Sequence, residues 1–110
     1  MEQKSNEHEI RKGLLVMAVL RVIGAKQCYA SEILERLALT EFATQEGTLY
    51  PMLSRLKREG MIEHQWVESP SGPPRKYFSL SAAGRKRLKD LSFYLTRLEK
   101  ELTALGGERK

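Results

Sequence analysis

The sequence predicts a mainly α-helical fold with one small β-hairpin, in the order helix, helix, helix, hairpin, long helix. Three observations carry that prediction. Apolar residues recur at helical spacing in four stretches, most of them bounded by a capping residue or a glycine. Alternating apolar and polar residues fill Met61–Glu68 and, beyond a segment rich in proline, Arg75–Leu80. The 110 residues, 41% of them hydrophobic, suffice for one modest core and leave no room for a separate catalytic domain.

The first helix is expected from about Glu7 to Ile23, with Ser5 or Asn6 as its cap and Gly24 as its stop. Its middle, LLVMAVLRVI, is apolar nearly all round, which implies two buried faces, one for its own core and one for something else. After Cys28-Tyr29-Ala30-Ser31, the spacing of Ile33, Leu34 and Leu37 predicts a short second helix to about Leu37. Leu39–Ala43 reads as a connector and Thr44 as the N-cap of a third helix that runs to Glu59 and stops at Gly60. Leu49, Leu53 and Leu56 face inward in that helix. Pro51 presses on the carbonyl of Gly47 and is expected to bend the helix near its start.

The first strand, Met61–Glu68, sets Ile62, His64 and Trp66 on one face, and the second, Arg75–Leu80, sets Phe78 and Leu80 together. Trp66 is read as packing in the hairpin's core. Residues 69–74, Ser-Pro-Ser-Gly-Pro-Pro, read as a loop. Ser81 caps a last helix to about Leu105, ended by Gly106-Gly107. Residues 1–81 thus read as one unit, and residues 82–110 as a final helix in the same compact body.

The formal net charge is +5, which suits an anionic partner. Residues 1–43 carry six basic and six acidic groups, residues 44–81 five and four, residues 82–110 eight and four. The excess therefore sits in the last third, at Arg85, Lys86, Arg87 and Lys89, and charge alone does not locate a binding surface. Cys28 is the single cysteine, so no internal disulfide forms and a reducing compartment is natural. The longest apolar run, Leu14–Leu20, is too short to span a bilayer, and the charged N-terminus lacks the apolar stretch of a signal peptide. The protein is expected in the cytoplasm.

Helices two and three, joined by a short turn, read as a helix-turn-helix, and the hairpin behind them as a wing. The third helix would expose Thr44, Gln45, Thr48, Tyr50, Ser54 and Arg55 on the side away from its leucines. Hydroxyl, amide and guanidinium groups can bond base edges and phosphates in a major groove. Ser71 and Gly72 allow close backbone approach at the wing tip, with Arg75 and Lys76 as phosphate clamps. The other reading is a solvated helix face and surface turn on a winged-helix module that binds protein instead of DNA.

EGTLYPMLSRLKREGMI (Glu46–Ile62), SGPPRKYFSLSAAGR (Ser71–Arg85) and RKGLL (Arg11–Leu15) together resemble the PadR family of winged helix-turn-helix regulators. The single C-terminal helix is similar to the family's short branch, which includes multidrug-sensing repressors. The resemblance implies DNA contacts by Tyr50, Arg75 and Lys76, and raises the expectation of dimerisation. Two positions depart from the pattern. The family's Y-G-Y-E-I reads Tyr29-Ala30-Ser31-Glu32-Ile33, so a tyrosine is lost at Ser31, and the second tyrosine of K-Y-Y is Phe78, which suits an inward strand position.

In the last helix Leu88, Leu91, Leu95, Leu98, Leu102 and Leu105 step by three and four, a heptad seam with leucine at every a and d position. Packing of this seam between subunits is expected, against Leu14 and Met17 of the first helix, in a homodimer that sets two reading helices on a palindromic operator of double-stranded DNA. Phe93 falls at f, furthest from the seam, where a large aromatic wants a reason. Either it packs on another helix or, with Met17 and Tyr94, it lines a cleft for a small aromatic effector. Nothing points to an enzyme, a cofactor or a metal: His8 and His64 are far apart with one cysteine between them, and no phosphate loop or nucleophile elbow occurs. Cys28 reads as a half-buried, unreactive thiol. The sequence therefore predicts a dimeric DNA-binding transcriptional regulator, a repressor.

Overall fold

Four helices and one hairpin follow each other in the expected order in a computed structural model, which describes residues 2–107 and side chains from Asn6 onward. They are α1 (Glu2–Ala25), α2 (Ala30–Ala38), α3 (Glu46–Arg58), β1 (Ile62–Ser69), β2 (Gly72–Leu80) and α4 (Ala82–Leu105). The core gathers Val19, Leu20, Val22 and Ile23 of α1, Ile33 and Leu37 of α2, the three inward leucines of α3, and Ile62, Phe78 and Leu80 of the hairpin. Apolar spacing thus chose the buried faces of α2, α3 and β2 correctly.

Helix α1 is longer than expected at both ends, and Ser5 and Asn6 lie inside it. Glutamate, glutamine and lysine are good helix formers, so nothing at residues 2–6 forces a start at Asn6. Gly24 does not stop the helix either. A Cβ at Gly24 would stand 2.8 Å from Leu80 Cδ1, so the glycine admits the end of β2 against α1. Gly60, by contrast, ends α3 as expected. It takes a φ of +78°, donates its N–H to the Lys57 carbonyl at 3.0 Å, and lets Met61 N–H reach the Leu56 carbonyl at 2.9 Å. That pair of bonds is a Schellman ending, which only a left-handed residue closes without strain. The N-cap of α3 is Gln45, one residue later than the expected Thr44, and its side chain makes no capping bond.

The hairpin corrects the reading of residues 69–74. Ser69 pairs with Gly72, so the turn shrinks to Pro70-Ser71 and β2 begins at Gly72. In a two-stranded sheet both strands are edges, so Pro73 and Pro74 lack no bond that the ladder needs. The register slips between Val67 and Ser69, which absorbs the offset. Farther down, Phe78 exchanges backbone bonds with Cys28, donating to its carbonyl at 2.8 Å and accepting from its N–H at 3.2 Å. This bridge fixes the hairpin against the segment that leads into α2.

Candidate nucleic-acid interface

The turn between α2 and α3 is built by Thr40. Its hydroxyl donates to the Leu37 carbonyl at 2.9 Å and accepts from Phe42 N–H at 2.9 Å, which ends α2 and turns the chain toward α3. Leu49, Leu53 and Leu56 then anchor α3 to the core. At the start of α2, the Glu32 side chain accepts from Tyr29 N–H at 3.2 Å, and this holds Tyr29 where the chain enters the helix.

Between these elements and the wing lies an open groove of about 280 Å³. Tyr29, the N-cap of α2, lines it with Ala30 and Ser31 of that helix, Tyr50, Leu53, Ser54 and Lys57 line it from α3, and Arg75, Lys76 and Phe78 from β2. The Arg75 guanidinium lies 4.6 Å from the centre of the Tyr29 ring, and Tyr77 meets that ring edge-on at 5.2 Å. Lys76 Nζ stands 5.4 Å from the centre of the Trp66 ring. Among the described residues no carboxylate lies within 4.0 Å of Lys57, Arg75 or Lys76. The two wing cations are thus positioned by aromatic faces, which attract a cation without neutralising it. Their charge stays available to an anion in the groove.

The remaining expected residues separate into three groups. Thr44 and Thr48 line a second hollow on the other flank of α3, with His8, Arg11 and Lys12 of α1. Arg55 points elsewhere, paired with Glu59 at 3.8 Å beside Arg87. Gln45 is exposed at the head of α3, and Ser71 and Gly72 are exposed at the wing tip. The expectation placed neither Tyr29, Ser31 nor Lys57 at the site. Lys57 was visible in the spacing, three residues beyond Ser54 and seven beyond Tyr50 on one helical stripe. The resemblance marks Tyr29 and Ser31 through its Y-G-Y-E-I segment, with a tyrosine lost at Ser31, but spacing alone does not bring the start of α2 beside β2.

Trp66 departs from its expected role. It is 63% exposed, well outside the core, with His64 edge-on to its ring at 6.3 Å. It pairs with Lys76, beyond the Ile62–Leu80 end of the hairpin that reaches the core, so alternation alone overstates its burial. On α4 the leucines emerge progressively: Leu88, Leu91 and Leu95 are half-buried, whereas Leu102 is 69% and Leu105 84% exposed. Leu14 is half-buried, and Met17 is already covered within the single chain at 8% exposure. Phe93 is 66% exposed, and Tyr94 is exposed with Arg97 5.2 Å from its ring centre; the grooves around α3 do not reach either aromatic. Cys28 is buried, and burial pushes its thiol up to about 11, a form that is neither nucleophile nor metal ligand near neutrality. No group of three potential metal-ligating side chains occurs among the described residues, and none of their helices is long and apolar enough to cross a membrane.

Residues 19–90, from the second half of α1 to the first turns of α4, match the model of the transcriptional regulator PadR-like family. An uncharacterized protein from Lysinibacillus sphaericus is 30% identical over 86 residues, 76% of this chain and 79% of that protein. Among solved structures, a PadR-like transcription factor from Bacteroides fragilis is 34% identical, with a TM-score of 0.79 over 92% of this chain and 98% of the other. A PadR family transcriptional regulator from Eggerthella lenta, 27% identical, has a TM-score of 0.85 over 96% of this chain and 93% of its own. Family match and superposition agree on one architecture, a winged helix-turn-helix. The chain belongs to the PadR-like family of transcriptional regulators, DNA-binding proteins and not enzymes.

Proposed function

We propose that this regulator is a dimeric repressor that grips a palindromic operator with α3 in the major groove and the wing on the flanking backbone. The observation that carries this reading is the groove itself, where three cations without carboxylate partners among the described residues converge with two tyrosine hydroxyls and two serine hydroxyls. A duplex backbone offers regularly spaced anions to such a set, and release of its counterions supplies much of the affinity. Tyr29, Tyr50, Ser54, Lys57, Arg75 and Lys76 hold phosphates, with Ser71 and Gly72 close to the backbone at the wing tip. Thr44, Gln45, Thr48 and Arg55, at the head and far flank of α3, are left for base edges and the opposite strand.

Residues 1–81 form the reading unit in this proposal, and residues 82–110 the dimerisation helix. Exposed leucines in the last turns of α4 support a partner there, and Leu88, Leu91, Leu95 and Leu98, with Leu14 and Met17 of α1, complete the interface in this reading. A two-fold dimer spaces its reading helices one helical turn of DNA apart, and occupancy of those turns in the cytoplasm blocks transcription. Phe93 and Tyr94, exposed on a single chain, become an effector cleft for planar aromatic molecules only where the second chain closes over them.

The test is a mobility-shift titration against fragments selected from genomic DNA. Wild type should bind a discrete fragment with a steep salt dependence, and Tyr50→Ala should weaken binding with the fold intact. A wild-type protein that selects no fragment at low salt would overturn the reading.

A further inference from the structure

His64 occupies an unusual place in this molecule. Its Nδ1 is the one buried side-chain polar atom without a hydrogen-bond partner among the described residues. The ring stands between two aromatics, 6.3 Å from Trp66 and 6.4 Å from Phe78, and Phe78 forms part of the groove floor. Two cations act on it from the neighbouring elements, Lys57 from α3 and Lys76 from β2, and both line the groove. On its own strand Glu63 lines the same shallow hollow with Lys57 and Gly60.

We propose that His64 couples DNA binding to proton uptake: it is neutral in the free protein and takes a proton when phosphates occupy the groove beside Lys57 and Lys76. The inference rests on the groove being the phosphate site, as argued above. In the free protein every cause acts in one direction. Desolvation, then Lys57, then Lys76 lower the imidazole below its ordinary 6.5. A phosphate seated between the two lysines offsets their field and adds negative charge of its own, so the same imidazole rises in the complex. Protonation also makes Nδ1 a donor in a neighbourhood that has become anionic.

A group with a higher pKa in the complex than in the free protein binds more protons in the complex, so affinity increases as pH falls. The gain is complete below the free-protein value, which lies under the ordinary 6.5, and absent above the bound value. Each unit of separation between the two values is a tenfold change in affinity per site. His64 therefore acts as a positioning residue whose charge follows occupancy of the groove; it need not touch DNA.

The experiment uses the full chain and a mixed-sequence duplex of about 30 base pairs, because phosphate contacts are indifferent to sequence. Affinity is measured from about pH 5.5 to 7.5 at constant salt, and proton uptake at about pH 6.5 by calorimetry in buffers of different ionisation enthalpy. Wild type should bind severalfold more tightly at the acidic end and take up a fraction of a proton per chain. His64→Gln should lose both effects, while His8→Gln, which removes the only other histidine, should keep them. Nuclear magnetic resonance of the His64 ring in wild type should show its pKa rising on addition of duplex, a readout that needs no variant. Unchanged uptake in His64→Gln, or a ring pKa unmoved by bound duplex, overturns the coupling while leaving the groove assignment standing. Failure of wild type to bind any duplex overturns both.

Discussion

The two ends of α4 live in different surroundings. At its start, Ser81 Oγ accepts from Gly84 N–H at 3.0 Å and donates to the Gly60 carbonyl at 2.6 Å, while Ser81 N–H reaches the Met61 carbonyl at 3.0 Å. One turn on, Gly84 is buried so closely against the Met61 backbone that a Cβ would collide with its carbonyl. Arg21 of α1 then donates to Ser92 Oγ at 2.7 Å. Among the described residues the far end has nothing comparable, and its leucines pass from 37% exposure at Leu98 to 84% at Leu105. One unbroken leucine repeat thus serves two purposes. Its first half packs on the body that holds the wing, and its second half is exposed on the single chain.

The largest expected effects fall at the anchored end. Gly84→Val places side-chain carbon into the Met61 carbonyl, where neither backbone can yield without moving the start of β1. Overpacking of this kind costs about 1–3 kcal/mol or more, a large share of a small domain's stability. Thermal melting should show a loss of more than ten degrees or no cooperative transition. Wild-type melting in this variant would mean that the two ends are not so different. Leu102→Glu sharpens the contrast from the other side. It should keep the helical content and fold of the single chain at high dilution, yet abolish association in sedimentation, since a charge buried in an apolar seam goes unpaired. A folded dimer in this variant would remove the seam from the interface.

A smaller change, confined to the binding groove, is expected from Arg75→Ala with Lys76→Ala. The aromatic faces that position these cations contribute little to folding, so stability should move by less than about 1 kcal/mol. If each cation neutralises one phosphate, the slope of log K against log salt should flatten by roughly two per chain. An unaltered slope would take the wing out of the interface, although α3 could still read bases.

Much of this architecture was legible because apolar spacing reports burial directly. The leucines of α3, Phe78, the Gly60 stop and the Ser81 cap all follow from local pattern. What was misread depended on contacts between distant segments. Gly24 read as a helix stop, but its space is used by Leu80, more than fifty residues away. The prolines at 73 and 74 read as loop because their local chemistry excludes most strands; an edge strand with a register slip is the exception. In the groove, Tyr50, Ser54, Arg75 and Lys76 were named from residue type and resemblance, whereas Tyr29 and Ser31 join them only through the Cys28–Phe78 bridge. Trp66 is misplaced for the opposite reason, because alternation cannot register where along β1 the core ends.

The smallest effect should come from Cys28, at the centre of the anchored body, where its backbone pairs with Phe78. Burial, aided by Glu32 and opposed by Arg36, raises its thiol from 9.0 to about 11. The sign for stability follows from that shift. The folded chain holds this proton more tightly than the unfolded one, so the contribution is intact below about pH 9 and is lost as pH rises through about 11. Near neutrality, therefore, pH should not change the stability owed to Cys28, and Cys28→Ala should cost about 1 kcal/mol or less from lost packing. Reactivity is the sharper probe. A thiol-alkylating reagent at pH 7.5 should label the native chain orders of magnitude more slowly than the denatured chain, at a rate set by opening of the hairpin against α2. Leu102→Glu at high dilution should leave that protection unchanged, because the seam's far end lies outside the anchored body. Equal labelling of native and denatured chains would show that the Cys28–Phe78 bridge opens freely, and the contrast between a fixed body and a waiting helix end would fail at its fixed side.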